Sequence, residues 1–319
     1  MSDFPEAIIV ISEEETNTRL DKILADRFKE IKSRNYFQYL IEEQKVLLNG
    51  NPIRKRQKPK AGDEIQIEFM LPPEVDLAAE AIPLEIIYED PDILIINKPA
   101  GMVVHPAPGN WSGTLVNALL HHCQNLLESF PAVTEGSSHL RPGIVHRLDK
   151  DTSGLLIAAK HTLAHQRLVG MFSEKQIHKE YLAICVGNPG NIEINQPIGR
   201  HPVHRQQMAV VETGGKYALS ICKTLAANGQ LSAVNIVLAT GRTHQIRVHL
   251  KHHGAPVLGD PLYGNLHANQ KYQVQRQLLL AHRISFKHPI TGCPLKFQAP
   301  IPNDISIFLE KLKLDVVQF

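Results

Sequence analysis

The sequence predicts an α+β protein: a small α/β module of two helices and a hairpin, followed by a larger mixed domain. In TRLDKILADRF, Leu20, Ile23, Leu24 and Phe28 recur at the spacing of one helical face, and Ser33 is placed to cap a second helix carrying Tyr36, Phe37, Leu40 and Ile41. Asn49-Gly50 is a strong turn signal, and IQIEF alternates as a strand does. From Leu84 to about Leu314 the pattern changes. LEIIYE, DILIINK, GLLIAAK, EYLAICVG and AVNIVLAT are short apolar runs bounded by turn residues, and TLAHQRLVGMFSEKQ has helical spacing. LPPEVDLAAEAIP, rich in proline and small or acidic residues, reads as a linker. The expected division is residues 16–70, a linker at 71–83, and one domain over 84–314.

With 43% hydrophobic and 21% charged residues the chain has the composition of an ordinary folded protein. It contains no long uninterrupted apolar run, and its first residues carry acids where a secretory signal would be basic, so a cytoplasmic location without a membrane partner is expected. Cys123, Cys185, Cys222 and Cys293 are dispersed and form no CxxC pair, which argues against a disulfide framework or a thiolate zinc site. A formal net charge of +2 is too small to announce a nucleic-acid binder, so local patches matter more.

One such patch is RKRQKPK, in which Arg54, Lys55, Arg56, Lys58 and Lys60 are basic and no acid intervenes. Alone it reads equally well as a solvated charge run. Set in a module of two helices and a hairpin, it suggests a phosphate-binding surface, and the segment resembles an S4 RNA-binding domain.

Several catalytic signatures are absent: no GxxxxGK[ST] loop, no GxGxxG turn, no HExxH helix and no GxSxG elbow. What stands out is RPGIVHRLDKDTSGLLIAAK, where a charged turn leads into a buried strand. Asp149 lies at the lip of that turn between Arg147 and Lys150, a placement that suits a nucleophile or base meeting a polyanion. The plainer reading is that Asp149 and Asp151 simply make the turn. In ATGRTHQIRVHLKHHGAP, Thr243 is placed to cap a helix stopped by Gly254, with His244, Arg247 and Lys251 on a polar stripe and Ile246 and Leu250 turned inward. That stripe offers cations to a phosphate or a carboxylate, or is an ordinary solvated face. His244, His249, His252 and His253 also cluster there, but without a carboxylate or cysteine at ligand spacing no metal is expected.

GIVHRLDKDTSGLLIAAK, with IINKPAGMVVHP before it and HKEYLA, TGRTHQIRVHL and GDPLYG after it, closely resembles the RluA/RluD family of pseudouridine synthases. The S4-like module in front makes the match nearest to the RluD-like members that act on large-subunit rRNA. The resemblance implies a mixed, largely antiparallel sheet in the second domain. It implies Asp149 as the essential aspartate, Tyr181 as the tyrosine stacked on the target base, Arg247 as the basic partner of the aspartate, and Arg147 as the arginine that fills the gap left by a flipped base. Tyr181 also reads as an ordinary core aromatic, since EYLAICVG is apolar on both faces. The implied reaction is an isomerisation of uridine in structured RNA, 23S rRNA or a pre-50S particle, with no cofactor. Nothing suggests an obligate dimer, and a monomer is expected. Two other readings stand beside this one: a non-catalytic rRNA-binding assembly factor on the same fold, and a metal-dependent nuclease using the histidine cluster.

Overall fold

The computed structural model describes residues 6–28, 34–53, 57–69, 78–106, 110, 112–124, 126, 129–130, 142–204 and 207–315. Contacts divide the chain into two compact units, Met1–Leu77 with Phe130–Pro142, and Ala78–Ser129 with Gly143–Phe319.

In the first unit, strands β1 (Glu6–Val10), β2 (Val46–Leu48), β3 (Asn51–Pro52) and β4 (Glu64–Glu68) form an antiparallel sheet in the order β1-β4-β2-β3. Helices α1 (Leu20–Arg27) and α2 (Arg34–Glu42) supply its core. Leu20, Ile23 and Leu24 from α1 pack with Tyr36, Phe37, Leu40 and Ile41 from α2 and with Ile65 and Ile67, the inward-facing positions of β4. The helical spacing and the strand alternation thus meet on one apolar centre. Asn49 and Gly50 make the β2–β3 turn with positive φ at both residues, as an Asn-Gly hairpin requires. Ser33, expected as a helix cap, lies outside the described residues.

The second unit is built on a nine-stranded sheet. Its strands are β5 (Ile86–Glu89), β6 (Ile93–Lys98), β7 (Ser153–Ala159), β8 (His178–Val186), β9 (Ile192–Asn195), β12 (Leu219–Ala227), β13 (Leu231–Leu238), β14 (Leu279–Lys287) and β15 (Pro294–Gln298). A separate pair joins β10 (Ile198–Arg200) to β11 (Met208–Val210). The helices are α3 (Leu115–His122), α4 (Thr162–Ser173), α5 (Gln245–His252), α6 (Leu266–Tyr272) and α7 (Asn303–Lys311). The sheet order is β5-β6-β7-β14-β8-β13-β12-β9, with β15 also on β14. Every pairing is antiparallel except β7 with β14, which run parallel where Ser153 and Gly154 face Leu280 and Ala281. Gly154 has φ +110°, and a Cβ there would run into the Ala281 backbone, so only glycine lets β7 begin this close to β14. The site is built around this junction.

Residues 78–83, expected within the linker, belong to the second unit. Asn117 Nδ2 donates to Ala78 O at 2.8 Å, and the Glu80 carboxylate accepts from Gly113 N at 3.0 and 3.1 Å. These bonds satisfy polar groups around the start of α3, which composition alone did not signal. Residues 71–77 lie outside the described residues. The four cysteines are free thiols. Among the described residues no helix is long and apolar enough to cross a membrane.

Candidate active site

Asp149 lies in the turn that enters β7, and groups from distant parts of the chain hold each residue after it. Lys98 at the end of β6 is fully buried, and its Nζ donates to Pro99 O at 2.7 Å and to Met102 O and Lys150 O at 3.0 Å each. Three carbonyls match the three donors of an ammonium group. Burial pushes Lys98 down to about 8, with Asp151 and Asp149 opposing it, so the group is still charged at neutral pH. Arg276 Nη1 donates to Asp151 O at 3.1 Å, while Asp304 of α7 holds Arg276 Nε and Nη2 at 2.6 and 2.7 Å. Gln277 Nε2 reaches Thr152 Oγ1 at 3.3 Å. On the other side, His146 Nε2 accepts from Ile157 N at 2.8 Å, which requires that nitrogen unprotonated. Burial pushes this histidine down to about 3, with Lys179 adding to the effect.

The carboxylate meets a buried arginine. Arg247 of α5, 4% exposed, donates from Nη1 to Asp149 Oδ2 at 2.8 Å. Its Nε and Nη2 donate to Asp260 Oδ2 and Oδ1 at 2.7 and 2.9 Å, and Asp260 is fully buried. Asp260 Oδ1 also accepts from Leu262 N and Tyr263 N, at 2.8 and 2.9 Å. The Arg247 guanidinium stands 5.0 Å over the Tyr263 ring. Burial works against its charge, but the Asp260 fork, and then Asp149, more than offset this and raise it above the ordinary arginine value.

Asp149, Arg147, Tyr181, His244 and Arg247 line one cleft of the second unit. Tyr181 sits mid-sheet on β8, between Ala281 of β14 and Ile236 of β13, and presents a buried aromatic wall. Burial first, and then the Asp149 charge, push its phenol up, so it stays protonated. Arg147 is exposed at the edge of the cleft. Asp149 Oδ1, the oxygen not held by Arg247, faces His244 Nε2 at 3.9 Å, beyond hydrogen-bond reach. One carboxylate is therefore oriented at one oxygen and open at the other, beside a flat apolar wall and exposed cations.

The family described as RNA pseudouridylate synthase matches residues 92–252, and the S4 domain matches residues 18–65. The chain belongs to the RNA pseudouridylate synthase family. It is 41% identical to an uncharacterized RNA pseudouridine synthase of Chlorobaculum parvum, over 95% of this chain and 96% of that one. It is also 41% identical to ribosomal large subunit pseudouridine synthase D of Neisseria meningitidis, over 93% of this chain and 79% of that one. Human RNA pseudouridylate synthase domain containing 1 shares the fold, with a TM-score of 0.54 and 23% identity over 77% of this chain and 98% of that structure.

The synthase departs from sequence expectation at α5. The helix is not capped by Thr243; its N-cap is His244, in the left-handed region at φ 56°. Gln245 orders the preceding loop, with Oε1 accepting from Thr240 Oγ1 at 2.8 Å and Arg242 N at 3.0 Å, and Nε2 donating to Leu219 O and Ser220 Oγ at 3.0 Å each. Arg247 is not on a solvated stripe; two carboxylates let it lie buried, while Lys251 is exposed. Nor do the four histidines of this segment converge. His249 has Nδ1 at Ser220 Oγ and Nε2 at Gln196 O, His244 Nδ1 is at Tyr263 OH, and His252 and His253 are exposed.

Another group close enough to share an ion is Asp90, Asp92 and His288. His288 Nδ1 accepts from Ile290 N and Thr291 N, which puts the neutral ring's proton on Nε2, 3.0 Å from Asp90 Oδ2, and leaves no lone pair there for a metal.

Of the basic patch, Lys58 and Lys60 are exposed on the first unit, while Arg54, Lys55 and Arg56 lie outside the described residues. Asp260, Lys98, Tyr263 and Arg242 were not singled out from sequence. Asp260 and Tyr263 fall in GDPLYG, and Lys98 in IINKPAG, so motif membership was the available signal and no periodicity was.

Proposed function

We propose that the enzyme converts uridine to pseudouridine in structured large-subunit rRNA, as 23S rRNA or a pre-50S particle, through Asp149. The observation that carries this is the single carboxylate open at Oδ1, with Oδ2 fixed by Arg247 in a cleft walled by Tyr181. The rRNA substrate is taken from relatives named ribosomal large subunit pseudouridine synthase D.

A uridine stacked in RNA has to be extruded to meet the carboxylate, at a cost of about a few kcal/mol. Stacking on Tyr181 and insertion of the exposed Arg147 into the vacated position offset that cost. The N1–C1′ electron pair departs with the base, the uracil turns, and C5 joins C1′; the C5 proton is lost and N1 gains one, so the reaction is redox-neutral. Glycosidases commonly use two carboxylates, one to protonate a poor leaving group. Uracil leaves as an anion spread over two carbonyls, which reduces the need for a dedicated acid, and one aspartate suffices. Asp149 either adds to C1′ or removes the C2′ proton.

Arg54, Lys55, Arg56, Lys58 and Lys60 serve RNA phosphate on the S4 unit. The enzyme works as a monomer in the cytoplasm. The test is tritium release from large-subunit rRNA labelled at uridine C5, comparing wild type with Asp149→Asn. Release by wild type alone is expected; release by both would remove Asp149 from its role, and tight RNA binding without release would mean a binding protein or another substrate.

A further inference from the structure

We propose that His244 is a further catalytic residue, its Nε2–H donating a hydrogen bond to the uracil O2 carbonyl as the base departs. This rests on the assignment of Asp149 as the group that acts at the ribose.

Tyr263 is 3% exposed; its hydroxyl oxygen accepts from Met208 N at 2.8 Å and lies 2.8 Å from His244 Nδ1. Among the described residues, Nδ1 is the acceptor within reach of the hydroxyl hydrogen, so Tyr263 donates to it. A neutral imidazole with Nδ1 accepting carries its proton on Nε2. Burial lowers the affinity of His244 for a second proton, with Asp149 opposing and Arg247 reinforcing the effect. The ring therefore presents a neutral N–H donor to the cleft.

That donor is placed beside the reacting oxygen. Nε2 is 3.9 Å from Asp149 Oδ1, the carboxylate oxygen that Arg247 leaves open. The gap is too wide for a direct hydrogen bond, so neither Nε2–H nor Oδ1 is committed to the other and both are free to meet a substrate seated against them in the cleft. Whether Oδ1 approaches C1′ or the C2′ proton, O2 of the uracil lies on the neighbouring side, separated from C1′ by N1 and C2 alone. As N1–C1′ breaks, its electron pair spreads onto O2 and O4, and an N–H donor binds that anion more strongly than the neutral carbonyl. His244 is held for this by backbone geometry that a side chain rarely adopts, φ 56° and ψ 21°, fixed by Tyr263 on one side and by the bonds of Gln245 on the other.

The experiment uses the full chain under single-turnover conditions, with an rRNA fragment carrying uridine, 2-thiouridine or 4-thiouridine at the modified position. His244→Asn tolerates the left-handed backbone and keeps a polar atom for Tyr263, but is too short to reach O2; His244→Gln restores a donor at the distance of Nε2. Expected for His244→Asn is a rate lower by on the order of 100-fold, with RNA affinity and melting temperature unchanged and partial rescue by Gln. Sulfur accepts hydrogen bonds weakly, so the 2-thio to 2-oxo rate ratio should be about 10-fold higher in His244→Asn than in wild type, with the 4-thio ratio equal in both. Equal 2-thio ratios in the two enzymes would overturn the proposal, even with a slow variant, because His244 would then act only by positioning. Asp149→Asn run alongside tests the underlying assignment separately: turnover by that variant removes Asp149, whatever the thio ratios show.

Discussion

Asp260 grips Arg247 by two nitrogens, at 2.7 and 2.9 Å, and thereby fixes where the remaining one, Nη1, meets Asp149. A planar guanidinium makes this possible: once one edge is locked, the direction of the opposite nitrogen is set. A lysine would supply the charge without the direction. The buried arginine is balanced by two carboxylates, and Asp260 gives its own capacity to Arg247 and to two backbone amides, so Asp149 is the one left open to the cleft.

Replacing Asp260 with Asn should therefore damage both fold and chemistry. The substitution leaves a buried guanidinium facing an amide, and breaking one partner of a buried pair costs about 3–5 kcal/mol. Urea unfolding of the variant should show that loss, and single-turnover rates should fall more than RNA affinity. A variant as stable and as active as wild type would show that Asp149 does not depend on this fork.

Lys98→Met tests the turn. It removes donors from three carbonyls; Lys150 O retains Gly101 N at 2.9 Å, while Pro99 O and Met102 O lose their lysine partner. Unsatisfied buried acceptors cost about 1–3 kcal/mol each, partly offset because methionine carries no charge to desolvate. The expected result is a net loss of about 1–3 kcal/mol in unfolding free energy and a lower rate at saturating RNA, since the backbone after Asp149 loses a tether. Unchanged turnover would mean that Arg276 and Gln277 suffice to hold it.

Much of the second unit was legible because buried strands leave continuous apolar runs: β6, β7, β8 and β13 all follow such runs. The strands β12 and β14 were not legible, because Lys223 in one and His282 and Arg283 in the other interrupt the pattern. At the site, Asp149 stood out through its turn, but its partner lies 98 residues away and no periodicity links them; the family resemblance did. Asp260 follows Arg247 by 13 residues on a loop, where spacing says nothing about contact. The stripe on α5 does offer a cation to a carboxylate, through Arg247, but its burial was not legible, because a helix face that is polar in sequence goes inside once carboxylates from other elements neutralise it.

Stability of the second unit should fall as pH drops below the free-imidazole value of 6.5. His146 is held near 3 and His282 near 4, each chiefly by burial, against 6.5 for a free imidazole. Between those values the unfolded chain binds protons that the folded one refuses. The stability is thus fully present above pH 6.5 and is lost as pH falls toward 4 and 3. From pH 7.5 to 5 the loss is up to about 2 kcal/mol per histidine. Glu15, held near 2 chiefly by Arg27, loses its contribution only below 4.5, outside that window. His146→Gln can still accept from Ile157 N without titrating, and should remove the His146 share of the dependence in urea unfolding, leaving that of His282, His244 and His249, which burial also lowers. An identical pH profile in the variant would show that the ring is not the responsible group.

Substitutions in the basic run of the S4 unit should separate binding from chemistry. Lys58 and Lys60 are exposed in the segment where the S4 domain matches, and they continue the run of Arg54, Lys55 and Arg56. If these side chains neutralise RNA phosphates, each contact releases counterions and adds about 0.7–0.9 to the slope of log affinity against log salt. Changing all five to Gln should flatten that slope by as much as about 3.5–4.5 and weaken binding at low salt most. The rate at saturating RNA should not change, because Asp149, Arg247 and Asp260 all belong to the second unit. A fall in the saturated rate with an unchanged salt slope would reverse the assignment, making the patch a part of substrate positioning and not of phosphate affinity.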